Sequence, residues 1–148
     1  MKKLIILLLM LSPLAVSAQN DAYKTLFDDC VGRDGYSTVQ VSKDMLRIMD
    51  SDYNLALASI DGVMSITFNS EDSAAVEAFR KRCDQMLDRS GLSVMVSTND
   101  GTQAVKIYTS TVEDKIKEVI VVTCSPTETV VVDVVGNLTL KQISRLNF

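Results

Sequence analysis

The stretch VIVVTCSPTETVVVDVVG, Val119 to Gly136, constrains the fold more than any other part of the chain. Two runs of β-branched residues meet at a Ser-Pro turn, and such side chains suit a pleated sheet better than a helix. The segment therefore reads as a β-hairpin. Counting apolar positions on each strand puts Ile120, Val122, Cys124 and Val130, Val132, Val134 inward. Val119, Val121, Val131 and Val135 then fall on the opposite sheet face, with Tyr108, Lys106 and Asp133 at comparable alternate positions.

The rest of the chain alternates between helical and strand periods. Asn20 is placed to cap a helix whose stripe of Tyr23, Leu26, Phe27 and Cys30 follows the i, i+3, i+4, i+7 spacing, and Gly32 follows it. A strand from Thr38 to Ser42 leads into a short helix from Lys43 to about Asp50, carrying Met45, Leu46 and Met49 on its apolar side. Val63 to Phe68 alternates with period two. The intervening NLALASIDG fits either a strand or a helical turn. A helix from about Glu71 to Arg89 buries Ala75, Val76, Phe79, Cys83, Met86 and Leu87, and Gly91 stops it.

Four strands follow: Leu92 to Ser97, Ala104 to Thr109, Lys117 to Cys124 and Thr129 to Val135. The TNDGT segment joins the first two, because Asn, Asp and Gly tolerate the positive φ of short hairpin loops. Thr139 and Gln142 form a capping box for a closing helix, with Leu138 and Ile143 at the staple positions. The expected architecture is α+β, a mostly antiparallel sheet of about six strands with helices packed on one face. The early strand-helix-strand passages are expected to cross over right-handedly. The first helix or the tail would cover the second face, or else that face is a contact surface.

Much chemistry is excluded. The chain has no histidine, which removes Ser-His-Asp and Cys-His catalysis and any imidazole metal site. It has no S-x-x-K, no G-x-G and no Walker loop, so the nucleophile and phosphate-cradling motifs that such patterns signal are missing and no cofactor is expected. Asp50, Asp52, Asn54 and Asp61 mimic a calcium loop, but its sixth position needs glycine and holds Leu55. Cys30, Cys83 and Cys124 form no C-x-x-C, and each falls on an apolar stripe, which suits small buried hydrophobes. A single disulfide among the three possible pairings is the alternative.

The N-terminus reads as an export signal. Lys2 and Lys3 precede the apolar run Leu4 to Leu11, Pro13 follows, and Val16-Ser17-Ala18 offers small residues for cleavage after Ala18. The run is too short to span a bilayer, which takes roughly 20 residues. Residues 1–18 are thus the expected signal peptide and residues 19–148 a single domain, with no stable membrane insertion after cleavage. The formal charge of −4 becomes −6 without Lys2 and Lys3, which repels nucleic acid.

The order AYKTLFDDC, VQVSKDMLRIM, ASIDGVMSITF, VEAFRKRCDQML, NDG and VVDVVGNLTLKQISRL resembles the exported domain of unknown function number 4252 of Bacteroidota. The resemblance implies a small Gram-negative envelope protein, and a role beside extracytoplasmic sigma-factor systems in envelope stress as one alternative. It carries over no functional residues. The residues themselves favour a non-catalytic module, periplasmic or secreted. It would bind an envelope protein or a small apolar ligand through a face containing Val119, Val121, Val131, Val135 and Tyr108. A carboxylate-based hydrolase is the enzymatic alternative, since two acids suffice for glycoside hydrolysis.

Overall fold

The computed structural model describes residues 21–49 and 59–143. The expected signal peptide, the Asn20 cap, most of NLALASIDG and the calcium-loop residues Asp50, Asp52 and Asn54 lie outside the described residues. Within them the chain runs α1 (Asp21–Cys30), β1 (Tyr36–Ser42), α2 (Lys43–Met49), β2 (Ile60–Asn69), α3 (Ser73–Asp88), β3 (Ser93–Asn99), β4 (Ala104–Val112), β5 (Lys115–Cys124), β6 (Glu128–Leu138) and α4 (Leu140–Ile143). The strands form one antiparallel sheet in the order β1-β2-β6-β5-β4-β3.

Local chemistry accounts for several element ends. Asp72 caps α3 by accepting a 3.0 Å hydrogen bond from the Ala74 amide. In the β3–β4 turn the Asp100 carboxylate accepts from the amides of Thr102 and Gln103, at 2.9 and 2.7 Å, and Gly101 takes φ +91°. The capping box at α4 is present: the Thr139 amide donates to Gln142 Oε1 at 2.9 Å, and the Gln142 amide to Thr139 Oγ1 at 3.3 Å.

The two long helices pack on one face of the sheet. There Tyr23, Leu26, Phe27 and Cys30 of α1 and Phe79, Cys83 and Leu87 of α3 form a buried cluster with Ile66, Tyr108, Ile120, Val122 and Val131. The Tyr23 hydroxyl pins α1 to the sheet, donating to the Met64 carbonyl at 2.7 Å and to the Val131 carbonyl at 3.2 Å. A second cluster on the other face joins Val119, Val121 and Val134 to Leu46 of α2 and Ile143 of α4. The short helices α2 and α4 thus contribute to the face that the long helices leave.

Two local expectations are corrected. β1 and β2 lie side by side and antiparallel, so the β1-α2-β2 passage is no crossover and the handedness rule for parallel strands does not apply to it. On α2 only Leu46 is buried, while Met45 and Met49 stand 51% and 64% exposed, because seven residues turn just one side chain onto the sheet.

Candidate functional site

Hairpin register decides which side chains share a face. Across β5 and β6 the pairs are Cys124 with Thr129, Val122 with Val131, and Ile120 with Asp133. Residues directly opposite each other point to the same side of a sheet. Thr129, Val131 and Asp133 therefore join Ile120, Val122 and Cys124 under the long helices, and Val130, Val132 and Val134 turn the other way. This reverses the phase expected for β6, because apolar counting treats each strand alone and here both phases of β6 are rich in valine.

The five residues expected to share one contact face are consequently divided. Val119 and Val121 lie on the second face and are buried at 0% and 2% exposure. Val131 and Tyr108 belong to the helix-side core, both fully buried. Tyr108, paired with Ile120, donates its hydroxyl to Asp88 at 2.9 Å and to Asp84 at 3.2 Å. Val135 is half-buried and lines a cavity described below.

The cysteines are free thiols, and all three are buried. Burial pushes the Cys83 thiol far above its usual range and raises that of Cys30. Cys124 donates to the Ser125 carbonyl at 3.5 Å and accepts a 3.4 Å hydrogen bond from the Thr129 hydroxyl. Beside it Arg80 is held from both sides, by Glu77 and by Asp84 at 2.9 Å. Lys106 extends the same network to Asp88 at 2.9 Å. These groups bind α3 to β4 by mutual neutralisation. A groove of ≈ 460 Å³ runs past Glu77, Arg80 and Cys124, but its charges already satisfy one another.

A second cavity, of ≈ 390 Å³, is built differently. On the helix face, Gln40, Met64, Asp133, Ile120 and Tyr108 form one row across β1, β2, β6, β5 and β4. The next row is Ser42, Gly62, Val135 and Glu118. Ser42 and Gly62 are too small to fill the space over their strands, so a hollow opens there, lined also by Gln40, Met64, Asp133 and Val135. A Cβ placed on Gly62 would find its nearest neighbour, the Val41 carbonyl oxygen, at 3.7 Å, so the hollow has room for a side chain. At its half-exposed rim Lys43 pairs with Asp61 at 3.0 Å.

Asp133 is 1% exposed and Glu118, its diagonal neighbour on β5, is 2% exposed. Burial pushes the Tyr23 phenol far above its usual range, and Asp133 and Glu118 act on it in the same direction. Sequence reasoning set Asp133 on the outward face and did not single out Glu118. The signal was available: Asp133 is the one acid in VVVDVV, and aligning the hairpin from its Ser-Pro turn puts it opposite Ile120. Among the described residues no group of three or more His, Cys, Asp or Glu side chains is arranged to hold a metal ion, and no helix is long and apolar enough to cross a membrane.

A family model described as Domain of unknown function (DUF4252) matches residues 23–146. No curated protein and no solved structure matches the chain.

Proposed function

The chain belongs to the DUF4252 family, and from that premise we propose that it is a non-catalytic exported binding module that holds a small, largely apolar ligand in the cavity between β1, β2 and β6. The observation that carries this reading is the pairing of two small residues, Ser42 and Gly62, over a hollow of ≈ 390 Å³ walled by Met64 and Val135. That volume falls within the range of small-molecule sites, and the mixture of apolar walls with a few convergent polar groups is their usual chemistry. Export is supported by Lys2, Lys3, the Leu4 to Leu11 run and Val16-Ser17-Ala18. The absence of histidine and of the nucleophile motifs supports binding rather than catalysis.

The expected contact face is replaced in this reading, because Val119, Val121, Val131 and Tyr108 are buried and only Val135 reaches a cavity. Native mass spectrometry of the exported chain, purified from its own envelope extract, tests the proposal. A small-molecule adduct is expected on the unaltered protein and not on Gly62→Leu, whose added side chain occupies the hollow. Identical spectra for the two proteins would refute it.

A further inference from the structure

We infer that two copies of the chain pair edge to edge through β3, antiparallel about a two-fold axis near Val96, so that their two six-stranded sheets become one. The inference is independent of the cavity. β3 ends the sheet order on one side, and all of its residues, SVMVSTN, are exposed, with Val94 at 48%, Met95 at 39% and Val96 at 36%. An edge strand carries a row of unpaired backbone donors and acceptors, and soluble proteins blunt it with charges, proline, a bulge or a covering segment. β3 has a bulge between Val94 and Val96 but neither charge nor proline, and no described segment covers it. The opposite edge, β1, is also uncharged but is partly covered: Tyr36 packs on Phe68 and Phe79, and the chain turns from Ser42 directly into α2.

Two observations name a second copy as the occupant. Val96 stands opposite Ile107, which packs against the second-face cluster, so two-fold pairing sets Val96 against its own copy and joins the two apolar faces into one strip. The ends of the strand are oppositely charged: Arg89 closes α3 just before it and Asp100 follows Asn99, both exposed. Antiparallel pairing brings the Arg89 end of each copy beside the Asp100 end of the other, whereas parallel pairing would set like charges together. The strand between them adds no charge to the repulsion between two chains of net charge −4. A contact of this length is small, so a dissociation constant of about 10–100 µM is expected.

Sedimentation velocity of the purified chain from about 1 µM to about 1 mM tests this. The expected result is an equilibrium between monomer and dimer that goes no further, because an isologous contact closes on itself. Val96→Lys sets two cations face to face at the axis and should remove the dimer across this range, while Val39→Lys on β1, at a residue 56% exposed, should leave it unchanged. Arg89→Glu should weaken the dimer about tenfold, as two exposed ion pairs turn repulsive. A monomer at every concentration would overturn the inference and leave the edge to a strand of another protein. A dimer that survives Val96→Lys would overturn the assignment to β3. Assemblies that grow beyond the dimer and are lost in both lysine variants would overturn it in favour of β3 pairing with β1 of the next copy. The unaltered chain separates monomer, dimer and larger assembly even where a variant fails to fold.

Discussion

A Cβ built on Gly136 would stand 2.2 Å from the carbonyl oxygen of Ser59, and 3.0 Å from the Ile60 Cα. Both obstacles are backbone, so neither can rotate aside. The close approach occurs where β2 and β6 meet at an irregularity between Ile60 and Gly62, with Ile60 opposite Gly136 and Gly62 opposite Val135. Gly136→Ala is therefore expected to force the strands apart and to lower stability by about 1–3 kcal/mol in urea unfolding. Gly62→Ala, with 3.7 Å of clearance, is the control and should change the midpoint little. Equal effects of the two would show that the approach of β6 to Ser59 is not the constraint.

The balance between what was legible and what was not follows from the range of each signal. The stripes of α1 and α3 could be read because Tyr23, Leu26, Phe27 and Cys30, or Val76, Phe79, Cys83 and Leu87, repeat with the helix itself, and every one of these residues is buried. The Asp100-Gly101 turn and the Thr139-Gln142 box are equally local. The face taken by β6 is not local. It depends on how Thr129 pairs with Cys124, and valine at both phases hides the answer from any count of apolar residues. The cavity was less legible still, since Ser42, Gly62 and Asp133 come together only through the β1-β2-β6 order, with the last strand inserted beside the second.

The thiols offer a chemical check on the packing. Cys30 and Cys83 are fully buried with raised pKa values, which keeps them as neutral thiols, and Cys124 is only 8% exposed. A thiol reagent is expected to label the reduced native chain slowly and all three cysteines rapidly once it is denatured. Fast native labelling at Cys124, located by peptide mapping, would contradict the burial.

Acid should weaken the attachment of α3. The hydrogen bond from Arg80 holds the Glu77 carboxyl below its usual range. At Asp88 burial acts in the opposite direction, but hydrogen bonds from Lys106 and Tyr108 outweigh it and the pKa is again lowered. A carboxylate with a lower pKa in the folded state than in the unfolded chain binds fewer protons when folded. Its stabilisation is present above the unfolded value, roughly 4.3 for Glu and 3.9 for Asp, and is lost as pH falls through the folded value. Urea midpoints should decline below about pH 4, and Glu77→Gln with Asp88→Asn should flatten that decline. An unchanged acid limb in the double variant would assign the decline to other groups.

The central claim, that the hollow over Gly62 is a ligand site, is tested most directly by titrating the unaltered chain and Gly62→Leu with n-hexanol while recording backbone amide shifts. The expected result is saturable shifts confined to the surroundings of Gln40, Ser42, Gly62 and Val135 in the unaltered chain, and their loss in the variant. Equal shifts in both proteins, or shifts gathered instead at the exposed Met45, Ile48 and Met49 of α2, would contradict it.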